Sequence, residues 1–264
     1  MLTHSADNPR ISGLSLALFS WYARFYFRRH FHALRIVRGS APSGLDDRPL
    51  IVCLNHPSWW DPLIALTLAR ETFPDRVHYA PIDSISLTKY RFFERLGFFG
   101  IDPKSVRGAS RFLKVGRAIL AQPRTTLWIT SEGTFTDVRT RPVSLRSGIG
   151  HLVHSLDEAV VVPLALEYVF WHERAPEALA CWGEPLPISG GSQRRPDEWT
   201  QEISCRLEKA LNRLGDLSMR REKAAFDVLL SGSAGVGGVY DVWRSLRARL
   251  TGQPFTLQHG SERF

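Results

Sequence analysis

LIVCLNHPSWWDP, residues 50–62, is the stretch from which the fold is read. Leu50 to Leu54 form a short unbroken apolar run containing β-branched Ile51 and Val52, the pattern of a strand covered on both faces. The run ends at Asn55-His56-Pro57, and Asp61-Pro62 reads as an N-cap followed by proline in a first helical turn. Asn55 to Trp60 is therefore a strand-to-helix loop. Thr125 to Thr130 (TTLWIT) is a second β-rich run leading into Ser131-Glu132-Gly133-Thr134, and Ala159 to Tyr168 (AVVVPLALEY) is a third. Residues 109–121 and 197–214 space their apolar side chains at three and four, as helices lying on a sheet do. Together these predict an α/β fold with a largely parallel central sheet flanked by helices.

A chain of 264 residues suits one α/β domain with extensions better than two full domains. Its 44% apolar and 23% charged residues are those of a globular protein, which excludes a disordered chain and a polytopic membrane protein. Aromatics stand out, with 15 Phe and 8 Trp. A net charge of +8 predicts attraction to polyanions. No run of five or more basic residues marks a nucleic-acid arm, and the densest cations interleave with aromatics near the N-terminus, so a lipid surface is the expected partner and nucleic acid is not. Cys53, Cys181 and Cys205 are odd in number and lack ligand spacing, which argues against a disulfide framework and a zinc site and for a reducing compartment.

Three regions follow. Residues 1–44 form an N-terminal amphipathic, membrane-associating segment, with Leu14 to Val37 expected to be helical. Its longest uncharged stretch, Ile11 to Ala23, is shorter than the roughly 18 residues a span needs. An aromatic helix carrying Arg24, Arg28 and Arg29 suits the headgroup layer, although packing on its own domain is the plainer alternative. Residues 45–215 form the catalytic domain. Residues 216–264 are a basic, Gly-containing extension in which SGSAGVGG matches no nucleotide-binding motif and YDVWRSLRARL is amphipathic.

The loop carries the chemistry. His56 stands five residues before Asp61, close enough for a turn to fold the carboxylate onto the imidazole. A carboxylate on one ring nitrogen fixes the tautomer and makes the other nitrogen a better base, which deprotonating an alcohol requires. Taken alone, the pair reads more readily as a loop histidine and a helix cap.

The wider pattern resembles the lysophospholipid (glycerolipid) acyltransferase family. Asn55-His56 through Asp61 matches its N-H-x4-D block, Gly97 to Asp102 its second block, Ser131-Glu132-Gly133-Thr134 its E-G-T block and Val161 to Leu164 its fourth, over about residues 30–215. The resemblance implies a glycerol-3-phosphate acyltransferase-like domain behind a membrane-associated helix. It implies transfer of a fatty acyl group from acyl-CoA or acyl carrier protein to a lipid hydroxyl, most simply that of a lysophospholipid, in phospholipid biosynthesis or remodelling. No metal or bound cofactor is implied. His56 would be the general base, Asp61 its orienting partner, and Glu132, Gly133 and Thr134 the acceptor pocket. Backbone N–H groups of the turn around Gly133 and Thr134 would supply the oxyanion donors. The enzyme would sit peripherally or monotopically on the cytoplasmic face of the inner (plasma) membrane.

Departures bear on the acceptor. The family places Arg-Ser after Gly-Thr, where this chain has Phe135-Thr136. Lys104, Arg107 and Arg139, with Arg141 and Arg146, could restore the missing positive charge. Without them, an apolar Phe135 would suit a neutral glycolipid or terpenoid alcohol. Trp59 and Trp60 are candidates for an acyl groove. Two rivals remain: a serine hydrolase, which lacks its G-x-S-x-G nucleophile, and a non-catalytic membrane-binding module, which has no use for His and Asp five apart.

Overall fold

A computed structural model describes residues 9–233, so the amphipathic stretch at 240–250 lies outside the described residues. In chain order the elements are α1 (Gly13–His30), β1 (Ala33–Val37), β2 (Leu50–Leu54), α2 (Asp61–Thr72), β3 (Val77–Asp83), α3 (Ser84–Lys89), β4 (Phe98–Ile101), α4 (Val106–Leu120), β5 (Thr125–Thr130), α5 (Gly148–His154), β6 (Glu158–Val169), β7 (Glu177–Trp182), β8 (Leu186–Ser189), α6 (Pro196–Met219) and β9 (Phe226–Ser231). The strands form one mixed sheet in the order β4-β3-β5-β2-β6-β7-β1-β9, with β8 paired to β6 beyond the end of β7. From β4 to β6 every pairing is parallel. Antiparallel pairings enter where β6 meets β7 and β8, and where β1 meets β9.

β2 lies at the centre, and its five residues are all buried. Successive side chains of a strand point to opposite faces, so Leu50, Val52 and Leu54 join the layer under α1 and α2, while Ile51 and Cys53 join the layer under α4, α5 and α6. The sequence reading of these strands and of a largely parallel sheet between helices holds. No helix among the described residues is long and apolar enough to cross a membrane.

Two boundaries differ from the sequence reading. Leu14 to Val37 is not one helix: α1 stops at His30, Phe31 is extended with φ −118° and ψ 153°, and Ala33 to Val37 run as a strand. β-branched Ile36 and Val37 suit a ladder, and β1 is paired on both edges, by β7 and β9. The second boundary moves for the same reason, because α6 continues to Met219 and the chain returns as β9 to close the far edge of the sheet. Parts of both supposed extensions, residues 33–37 and 216–231, thus belong to the domain.

The β1–β7 contact encloses an ion pair. Arg35 Nε donates to Glu177, whose side chain is fully buried and whose second oxygen has no partner among the described residues, and Trp171 lies under the guanidinium at 5.9 Å.

A half-buried histidine of β3 links the end of α2 to β5. His78 Nδ1 accepts from the Trp128 indole N–H at 3.2 Å, so its Nε2–H is the donor to the Phe73 carbonyl at 3.0 Å. Burial, aided by Arg76 and Arg70 and opposed by the Phe73 bond, lowers its pKa from 6.5 to about 4. A depressed folded-state pKa means stability that is whole above pH 6.5 and is lost as pH falls through 6.5 toward 4. A shift of this size predicts an acid-side loss on the order of 2–3 kcal/mol. Urea unfolding between pH 7 and 4 should show that loss in the wild type and a flatter profile in His78→Gln. Equal slopes would rule His78 out as its source.

Candidate active site

The site lies where the parallel strands end, the place at which open α/β sheets present loops to a ligand. Leu54 of β2 stands level with Thr130 of β5 on one side and Leu164 of β6 on the other. The next residues of each strand therefore emerge side by side. Asn55 prolongs the ladder with its side chain: Oδ1 accepts from the Leu166 N–H at 2.8 Å and Nδ2 donates to the Leu166 carbonyl at 2.9 Å. This buried amide fixes the direction in which the chain leaves the sheet at His56.

His56 and Asp61 do meet. His56 Nδ1 lies 2.6 Å from Asp61 Oδ2. That oxygen also accepts the Ser58 N–H at 3.2 Å, and Oδ1 accepts the Tyr168 hydroxyl at 2.7 Å. Asp61 is not the helix cap expected of it. Trp60 occupies that position in helical conformation, and Asp61 is the first residue of α2, its carboxylate turned back over the loop. The Asp61 side chain is 1% exposed and that of His56 21%, so the acid is enclosed while the imidazole faces an opening. With Nδ1–H on a carboxylate, the neutral ring presents Nε2 as a proton acceptor.

Tyr168 was missed in the sequence, where it closes an apolar strand and carries no local signal. Burial first, and then the Asp61 charge, raise its phenol pKa well above the ordinary value, which keeps it a hydrogen-bond donor to Asp61.

The Glu132 turn faces the same loop. Glu132 Oε2 accepts the His56 backbone N–H at 2.6 Å, and the Thr136 N–H donates to the His56 carbonyl at 3.0 Å. Both main-chain groups of His56 are thus held from one segment. Half-burial pushes the Glu132 pKa up, against the opposing effect of that His56 bond. The Gly133 N–H is already committed to the Thr130 carbonyl at 3.1 Å, so it is no oxyanion donor; the Thr134 N–H has no partner among the described residues. The Phe135 ring stands 4.4 Å from the His56 ring and is 63% exposed.

The cations differ in their distance from the turn. Arg146 comes nearest, with Nη1 donating to the Pro103 carbonyl at 2.8 Å, Nη2 reaching the Gly133 carbonyl at 3.5 Å and its amide held by the Ser131 carbonyl. It ties the segment after β4 to the segment after β5. Arg139 does not join them, since Asp137 takes its guanidinium in two bonds of 2.9 and 2.7 Å. Arg141 is bound to Asn212 and to nearby carbonyls. Lys104 and Arg107 are exposed on the rim next to Pro103. Trp60 is packed edge-on against Phe31 at 4.9 Å and beside Tyr26, while Trp59 stacks on it at 4.5 Å and is 63% exposed. Trp60 is therefore a wall shared with α1, and only Trp59 is open.

Gly133 has φ +72°, and a Cβ there would collide with the Arg146 guanidinium. Gly133→Ala should cost about 1–2 kcal/mol in backbone conformation and drive the Arg146 guanidinium out of the turn. The expected result is turnover at least tenfold lower with an unchanged circular dichroism spectrum. Near-normal turnover would show that this arrangement is dispensable.

A family model described as Acyltransferase matches residues 28–167, more than half of the chain. No curated protein matches it.

Proposed function

The chain belongs to the Acyltransferase family, and from that premise we propose that it moves a fatty acyl group from a thioester donor to a lipid hydroxyl, with His56 as general base and Asp61 as its orienting partner. The observation that carries this reading is the His56–Asp61–Tyr168 chain of hydrogen bonds, held open to solvent at the imidazole end. The acceptor O–H gives its proton to His56 Nε2 as its oxygen attacks the thioester carbonyl. The C–S bond then breaks, the ester C–O bond remains, and the imidazolium returns the proton to the departing thiolate. Asp61 stabilises the imidazolium between the two transfers, and the Thr134 N–H is the donor best placed in the turn to meet the oxyanion. Purified protein given hexadecanoyl-CoA or hexadecanoyl-carrier protein and a lipid extract should yield a new acyl ester by mass spectrometry. Thioester hydrolysis without ester formation would overturn the assignment.

Membrane association has its own support. α1 buries Ser20, Ala23 and Phe27 yet leaves Leu14, Leu18, Trp21 and Phe25 each more than half exposed, at the four-three-four spacing of one helical face. A helix apolar on both sides binds its domain with one and offers the other to lipid. Tyr22, at the edge of this face, touches Phe19 and Tyr26; Phe19 leads on to Phe92, and Tyr26 to Trp60 and so to Trp59 at the site. The protein would thus lie on the cytoplasmic leaflet with the acceptor entering beside Trp59. Phospholipid biosynthesis or remodelling is the corresponding role.

Phe135 favours a second reading of the acceptor. With an apolar ring against His56 and Arg139 taken by Asp137, a neutral lipid alcohol fits the near side of the site, while Arg146, Lys104 and Arg107 remain for a phosphate. Turnover on lysophosphatidate against that on neutral lipid alcohols decides between them, and strong preference for the phosphate rules the neutral acceptor out.

A further inference from the structure

The solvent face of α4 carries charge of a single sign. From Pro103 to Ser131 the chain has no acidic residue but six cations, Lys104, Arg107, Arg111, Lys114, Arg117 and Arg124. Phe112, Val115, Ile119 and Leu120 turn α4 toward the core. That leaves Arg107, Arg111, Lys114 and Arg117 exposed along its outer side, at spacings of four, three and three. At 1.5 Å per residue the four span about 15 Å.

Position gives this ridge its meaning. α4 starts just after the turn at Pro103, which Arg146 holds to Gly133, so the ridge begins at the rim of the site and runs away from it. It also lies on the opposite face of the sheet from α1, in the layer of Ile51 and Cys53. A bilayer seated on Leu14, Leu18, Trp21 and Phe25 leaves α4 facing the aqueous phase. A groove between α4 and α5 runs alongside. Its acids, Asp46, Asp47, Asp157 and Glu158, are gathered at the end away from the site, near Arg124, which holds Asp47 at 2.7 Å.

We propose that the α4 ridge docks an acidic carrier protein that delivers the acyl chain as a thioester on a flexible arm. The inference rests on the acyltransferase reading and selects its donor. A line of four cations over three helical turns matches an extended anionic protein surface, whereas the phosphates of a coenzyme form a compact cluster that calls for a closed pocket. Complementary charge of this kind steers encounter and weakens with salt. The arm then passes from the upper end of α4 over the Pro103 turn to His56.

The test uses Lys114→Glu/Arg117→Glu in the full chain, both positions lying outside the site. Binding of hexadecanoyl-carrier protein is measured in a His56→Ala background so that the donor is not consumed, and turnover is measured with His56 present. The proposal expects salt-sensitive carrier binding that falls about tenfold or more in the double variant. It also expects a matching rise in KM for the acyl-carrier and unchanged kinetics with hexadecanoyl-CoA. Unchanged carrier binding overturns it. So does an equal loss with hexadecanoyl-CoA, which would assign the ridge to coenzyme phosphates, or a selective loss of binding to anionic vesicles, which would assign it to the bilayer. The milder Lys114→Gln/Arg117→Gln variant, checked by thermal melting, keeps the test valid should charge reversal disturb the fold. Failure of the acyltransferase reading looks different: the wild type would transfer from neither donor, while the binding measurement still reports on docking.

Discussion

Acyl transfer by the His56→Ala protein is expected to fall by about three to four orders of magnitude, with thermal stability and vesicle binding close to those of the wild type. The imidazole lies partly exposed at a strand end, so its removal opens little core, whereas among the described residues the Asp61 carboxylate holds no other imidazole. Asp61→Asn should approach the same loss, because the amide offers a donor where Nδ1–H needs an acceptor and so favours the wrong tautomer. Tyr168→Phe, which removes one of the bonds to Asp61, should cost only about 1 kcal/mol of transition-state stabilisation, or roughly fivefold in rate. Single-turnover measurement of ester formation separates these three. His56→Ala turnover within tenfold of wild type would remove the general base from the mechanism.

The largest effect on stability is expected at the other end of the sheet. Arg35→Leu leaves the fully enclosed Glu177 carboxylate without its cation, and breaking a buried pair from one side costs about 3–5 kcal/mol. The double replacement Arg35→Leu/Glu177→Leu removes both charges and should regain most of that loss. A comparison lies close by: Arg38, the residue after β1, and Asp227 of β9 are paired with both side chains more than 60% exposed, and breaking that pair should cost under about 1 kcal/mol. Urea denaturation of the three variants provides the check. If Arg35→Leu proves as mild as Arg38→Ala, water reaches Glu177 and the pair is not sealed.

The central strands could be read from sequence because burial on both faces concentrates β-branched residues, as in Leu50–Leu54 and Val160–Val162. α6 was legible because its inner face keeps a strict three-four spacing from Trp199 to Leu214. β1 was not, since Ala33–Val37 continues an apolar run already accounted for by α1, and its strand character comes from partners more than 140 residues away. β9 escaped for a similar reason, as FDVLLS follows a basic stretch and only its pairing with β1 makes it a strand. The same holds within the site. His56 and Asp61 are neighbours in sequence and could be paired on paper, whereas Tyr168 reaches Asp61 only through the register of β6. Arg146 was named as one of several cations, and its contact with the Gly133 turn is set by the fold of the segment after β5. Arg139 shows the converse: its position beyond the Glu132 turn suggested a pocket cation, and a carboxylate two residues away took it.

The place of β1 in the sheet constrains how the protein is made. Among the described strands it is made before its partners, and both of them, β7 and β9, lie more than 140 residues further along the chain. Such distant pairings are slow to form, so the nascent chain carries the apolar α1 and the unpaired edges of β1 until residues 177–231 have been made. On the proposed lipid seat of α1, the bilayer would shield the incomplete domain from its neighbours during that interval. Translation without membranes should therefore give more aggregate than translation beside them.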